Sequence, residues 1–160
     1  ILPGRLNTSV SSSPYFKLYL MAQVHSHDKG FLSKDISVGA LIENRGDIHH
    51  LFPKKYLQSN GHNLRNDYNQ IANYVMTQSE INIRIKDDAP NVYMKKVLDQ
   101  IDNQGPYIGA ITTKEGLEES FRQNCIPNEF INYTVENYFE FLQQRRYLMA
   151  QKIKEYYFNL

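Results

Sequence analysis

The chain has 160 residues, 41% of them hydrophobic and 22% charged, which suits one ordinary globular domain or a small domain with a helical extension. A net charge of +1 excludes a protein that attracts polyanions as a whole, so any affinity for nucleic acid must come from local pairs: Lys54-Lys55, Arg84 with Lys86, Lys95-Lys96 and Arg145-Arg146. The single Cys125 excludes an internal disulfide and a four-cysteine zinc site and fits a reducing cytosol; no apolar run reaches the ~18 residues of a membrane span, and no export signal is present. The chain opens at Ile1 without an initiator methionine and reads as a piece of a longer protein.

Residues 1–13 are polar and turn-rich and predict a linker or irregular lead-in. Pro14 is placed to start a buried helix through Ala22, since the residues from Tyr15 to Ala22 are apolar nearly all round. His25, His27 and Asp28 then form a polar helix exit, with Gly30 in the turn. Residues 37–43 predict a short helix capped by Asp35 or Ser37. Residues 47–52 predict a strand or extended segment, and Pro53 begins a helix to Gln58 that Asn60-Gly61 ends. Residues 63–69 are polar, a loop or helical turn, and the loop from Gln58 onward is free to reach DNA. Residues 71–77 favour a strand, and Ser79 offers the cap of a helix running to Lys86. Beyond Pro90 helices are predicted over 92–101, 113–124 and 129–158. The aromatic residues of the last, drawn from a chain with 12 Tyr and 8 Phe, are read as core packing, with a homodimer or interdomain face as the alternative.

The chemistry gathers in Asp47-Ile48-His49-His50-Leu51-Phe52-Pro53, with Asn73 downstream and Asn82 nine positions further on. A neutral imidazole can take a proton from water near pH 7, and hard donors can hold a divalent cation beside a phosphate. Adjacent strand residues face opposite ways, so one histidine is read as a ligand and the other as a base. The helix over 79–86 is expected to present Asn82 towards the strand end that carries His49. An imidazole nitrogen with an amide oxygen suits Mg²⁺, with Mn²⁺ or Ni²⁺ possible, better than structural zinc. Lys54, Lys55, Arg84 and Lys86 flank the motif and are the candidate contacts to the DNA backbone.

This pattern resembles the His-Asn-His (HNH) endonuclease motif of the ββα-metal fold. Two histidines, Phe-Pro, Ile-Ala-Asn, then Asn-x-x-Ile and a proline are similar to the C-terminal nuclease domain of GmrSD-type restriction enzymes, over roughly residues 28–95. The resemblance implies an α+β fold with a small ββα-metal nuclease core over 47–90, a lead-in over 1–46 and a helical extension over 91–160. It also implies roles. His50 is the general base, and Asn73 holds the loop between the strands and thereby the base. His49 and Asn82 are metal ligands, and Asp47 orients or supplements the metal site. Implied too are one Mg²⁺-like cation without structural zinc, 5′-phosphate products, a DNA substrate (modified or phage DNA included), an N-terminal NTPase-like partner domain, and a bacterial cytoplasmic setting in anti-phage defence. A catalytically silent DNA-binding or interaction module, and an RNA-directed nuclease, are the alternatives.

Overall fold

A computed structural model describes residues 3–44, 48–103 and 105–160. The fold is mostly helical, and among the described residues the sheet is a single antiparallel pair. Helix α1 (Pro14–His25) starts where expected, because Pro14 occupies the first turn and Ser13 Oγ accepts a hydrogen bond from Tyr15 N at 3.2 Å. Helix α2 (Val38–Glu43) is capped by Ser37, whose Oγ accepts from Ala40 N at 3.0 Å. Strand β1 (Ile48–His50), helix α3 (Lys54–Ser59) and the single turn α4 (Arg65–Tyr68) follow. Strand β2 (Tyr74–Met76) returns antiparallel to β1, and helix α5 (Ser79–Ile85) leaves it after two residues. The chain closes with α6 (Pro90–Asn103), α7 (Lys114–Gln123) and α8 (Tyr138–Phe158).

Four expectations need correction. The lead-in is part of the fold: Pro3–Leu6 form a 3-10 turn, Leu6 is fully buried, and Thr8 and Ser9 offer their carbonyls to Ile71 N and Tyr74 OH. The strand expected over 71–77 is shorter, because Ile71–Asn73 coil into a 3-10 turn before β2. Ser79 does not cap α5; Gln78 holds that position without a side-chain bond, and Ser79 is the first helical residue. The helix expected from 129 starts nine residues later. Thr134 caps a separate 3-10 turn, Val135–Asn137 (Asn137 Oδ1 accepts from Thr134 N, Thr134 Oγ1 from Glu136 N), which lies between the 3-10 turn Asn128–Asn132 and the start of α8 at Tyr138.

The core lies between the strand pair and α8. Leu51 and Phe52, the apolar half of the histidine motif, are 1% and 0% exposed. The Phe52 ring packs against Tyr138, Phe141 and Phe130 at centroid separations of 5.0, 5.1 and 5.8 Å. Burying a ring of this size contributes about 2–3 kcal/mol, so the segment that leaves β1 is anchored by the long helix. Tyr93 of α6 adds a second tie, its hydroxyl donating to Leu51 O at 2.6 Å. The opposite side of α8 leaves Phe139, Tyr147, Tyr157 and Phe158 more than half exposed, so its aromatic residues are divided between core and surface. Among the described residues no helix is long and apolar enough to cross a membrane.

Candidate active site

The register of the pair is Ile48↔Met76, His49↔Val75 and His50↔Tyr74, which puts His50 at the last rung of β1 and the first of β2. One further backbone bond, from Leu51 N to Asn73 O at 2.9 Å, closes that end. The Asn73 side chain then secures the turn that follows. Its Oδ1 accepts from Phe52 N at 2.8 Å, and its Nδ2 donates to Phe52 O at 3.1 Å and to Tyr68 O at 3.2 Å. Asn73 is wholly buried, so it touches no substrate; it positions the chain on both sides of the site. The same residue is gripped through its neighbours, because Arg145 Nη1 donates to the carbonyls of Ala72 and Tyr74.

His50 is half-buried between aromatic rings, edge-on to Tyr74 at 5.5 Å and tilted against Tyr68 at 6.4 Å. Its Nε2 lies 2.9 Å from Asn69 Oδ1. A carboxamide oxygen can only accept, so this contact places the proton on Nε2 and leaves the lone pair of the neutral ring on Nδ1. Burial holds the His50 pKa below the ordinary imidazole value, and the ammonium of Lys54 pushes it further down, against the opposing pull of the Asn69 bond. The ring is therefore neutral at pH 7. Lys54 itself sits over the Tyr68 ring, 5.2 Å from its centroid.

His49 leaves β1 on the opposite face from His50, as its neighbouring position in a strand requires. It is half-buried, with Nε2 out of contact with solvent. Asn82 lies half-buried on α5, beside the buried Ile81, and its carboxamide makes no hydrogen bond to another described residue. Asp47 falls outside the described residues. Among the described residues no group of three His, Cys, Asp or Glu side chains gathers as a metal cluster.

The four cations expected along the DNA backbone do not form one set. Lys54 belongs with His50. Lys55 is exposed on α3. Arg84 stacks instead on Tyr107, 4.6 Å from its ring centroid, and Lys86 ends α5 with φ 58°. Nor is Arg145-Arg146 a solvated pair: Arg145 is 0% exposed and bonded to carbonyls of Asn124, Ala72 and Tyr74, while Arg146 is half-buried against Gln70. His25 lies edge-on to Tyr156, and His62 lies against Tyr138 and Phe139.

Sequence reading gives Asn69 and Gln70 no site role and names Arg146 only as half of a basic pair. The polar stretch 63–69, expected as a loop or helical turn, contains the single turn α4, which buries Tyr68 and delivers Asn69 to the imidazole. The one available signal was the position of Asn69 four residues before the buried Asn73. No protein-family model, no curated protein and no solved structure matches the chain.

Proposed function

We propose that the chain is a metal-dependent, HNH-type endonuclease acting on DNA phosphodiesters, the nuclease part of a bacterial restriction or anti-phage protein. The observation that carries this reading is the setting of His50. A neutral imidazole, with Nε2 tied to Asn69 and its lone pair on Nδ1, closes an antiparallel pair whose exit is secured by a buried asparagine. That supports a general base: Nδ1 accepts a proton from water as the water oxygen attacks phosphorus and the 3′-oxygen leaves, yielding a 5′-phosphate end. Burial keeps the base from protonating, and the charge of Lys54 adds to that effect and would be offered to the phosphate.

A small ββα-metal unit is the finer fold that this reading adds to the observed order β1, β2, α5. His49 and Asn82 would hold the cation, with Asp47 as a further carboxylate. The donor set fits: the Asn82 carboxamide has no described partner to give up, and an imidazole with an amide suits an ion that keeps water and phosphate oxygens as its other ligands. The set contains no thiolate, so it does not resemble structural zinc. When bound, the ion (Mg²⁺ first, Mn²⁺ or Ni²⁺ otherwise) supplies positive charge at the phosphoryl and leaving oxygens.

The test is cleavage of supercoiled plasmid with Mg²⁺, Mn²⁺ or Ni²⁺, against EDTA and against His50→Ala. Nicking that requires the metal, and falls by at least about a hundredfold in His50→Ala, is the expected result. Absence of cleavage with every metal would sink the reading for this chain, and metal-dependent cleavage that survives His50→Ala would remove His50 as the base.

A further inference from the structure

Three consecutive residues each hold one basic side chain. The Tyr68 ring lies under the Lys54 ammonium, Asn69 Oδ1 meets His50 Nε2, and Gln70 Oε1 accepts from Arg146 Nη2 at 3.2 Å. The short segment that carries them is itself fixed, since Tyr68 O accepts from Asn73 and Gln70 Nε2 donates to Asn66 O at 2.6 Å. Lys54 and Arg146 are thus held on either side of the residue that holds the imidazole, one arriving from α3 and the other from α8.

Arg146 differs from the other tethered cations. Lys96, Arg122 and Lys152 are ion-paired with Asp88, Glu119 and Asp28, whereas no carboxylate among the described residues lies within 4.0 Å of Arg146. Its Nε is buried and has no hydrogen-bond partner. Burial also makes its charged form less favourable, with only the neighbouring Tyr138 to offset it. A guanidinium kept half out of water, with the Gln70 carboxamide as its one described acceptor and no described counter-charge, gains a charge and further acceptors when a phosphate arrives. Arg145, next to it, cannot serve in this way, because it is wholly enclosed and already donates to three carbonyls.

We infer that Arg146 grips a backbone phosphate of the nucleic acid beside the one at which His50 acts, completing with Lys54 a pair of phosphate contacts about the base. The inference rests on the nuclease reading for its substrate. Arg146 is a binding residue here: it fixes the strand and takes no part in proton transfer.

Binding of a short fluorescein-labelled DNA duplex, followed by anisotropy in EDTA over about 50–200 mM salt, tests it without cleavage. Arg146→Gln is expected to weaken binding about tenfold and to reduce the slope of log K against log salt by about one. Lys154→Gln, an exposed change on the same helix, is expected to leave both unaltered. Arg146→Lys keeps the charge and loses the fork, so it should keep the slope with several-fold weaker binding. A folded Arg146→Gln protein with wild-type affinity and slope overturns the inference and makes Arg146 a strut for Gln70. If Arg146→Gln does not fold, unchanged affinity in Arg146→Lys overturns it equally. Wild-type protein that binds no DNA overturns this inference together with the DNA substrate; wild-type binding with an unaltered Arg146→Gln slope overturns this inference alone.

Discussion

Two groups of cations flank the strand pair, and their surroundings differ. Around His50, the basic side chains of Lys54 and Arg146 rest on an aromatic ring and a carboxamide, which carry no charge. At the end of α5, Lys96 is bound to Asp88 at 2.9 Å, and Arg84 and Lys86 lie by the Tyr107 phenol, whose pKa is lowered first by a hydrogen bond from Arg84 and then by the charge of Lys86. A cation held by a neutral group keeps its whole charge for an incoming anion; one held by a carboxylate has part of it neutralised already. Lysine and arginine pairs of equal standing in the sequence therefore become unequal in the fold. Of these five cations only Lys96 has its charge partly offset by a carboxylate; Arg84, like Lys54, rests on an aromatic ring.

The sharpest way to break this contrast is at Asn73. Asn73→Ala strips partners from Phe52 N, Phe52 O and Tyr68 O, all within the segment that positions His50 and Asn69. Destabilisation of about 3 kcal/mol is expected in urea unfolding, together with a cleavage loss of about a hundredfold from displaced groups. Arg84→Ala, by contrast, should leave stability within about 0.5 kcal/mol and cleavage within a few-fold. Equal losses from both variants would erase the distinction between the two regions.

The adjacent arginines give the next largest difference. Arg145→Met leaves the carbonyls of Asn124, Ala72 and Tyr74 without their buried donor and should lower stability by about 3 kcal/mol, or Tm by roughly 10 °C. Arg146→Met loses one bond to Gln70 and should cost about 1 kcal/mol or less while impairing DNA binding. Thermal melts of the two variants, read beside their affinities, separate the residue that supports the site from the one that serves it.

What was legible beforehand follows the range of the interactions. The cap Ser37 is bonded within three residues of itself, so local sequence reveals it, although the same reasoning misplaced the cap of α5 at Ser79. The short strand at His49-His50 and the helix begun by Pro53 were readable for the same reason. Arg145 and Arg146 were not: their bonds to Ala72 and Gln70 cross 73 and 76 residues, and a basic pair on a helix carries no mark of which member will be buried. Asn69 was missed because carboxamides are common in exposed loops, and only the packing of Tyr68 turns this one inward. The helix boundary at 138 was missed because aromatic residues continue through 130–133, while the Thr134 cap of a separate 3-10 turn is a weaker signal than hydrophobic periodicity.

Acidity gives a smaller but directed effect. The His50 pKa is depressed below the roughly 6.5 of a free imidazole, so between the folded and unfolded values the unfolded chain binds more protons. The contribution of His50 to stability is therefore complete above about pH 6.5 and declines as pH falls through the window beneath it. The acid limb of cleavage should lie in the same window. Lys54→Gln removes a charge that holds the value down, so the His50 resonance, followed by NMR against pH, should titrate higher than in the wild type. Lys96→Gln, on the α5 side, should leave it unmoved. A shift in the second variant equal to that in the first would show that the two cation groups act as one field.

The smallest effect concerns Lys86, whose backbone at φ 58° and ψ −138° is a conformation that glycine adopts freely and a side-chain-bearing residue adopts only under strain. The position is forced by the turn that ends α5, where Lys86 N donates to Asn82 O at 3.2 Å before the chain turns towards Pro90. Lys86→Gly should relieve that strain and raise stability by about 1 kcal/mol, a Tm increase of roughly 3 °C, although the unfolded chain gains freedom with glycine. If the α5 cations assist DNA binding, the same variant should also lower the salt slope by less than the Arg146 change does, since the exposed Lys86 ammonium is already well hydrated. A more stable protein with unaltered binding would mean that the strained turn exists for chain geometry alone. A less stable one would show that the Lys86 side chain holds the turn by contacts that outweigh its backbone strain.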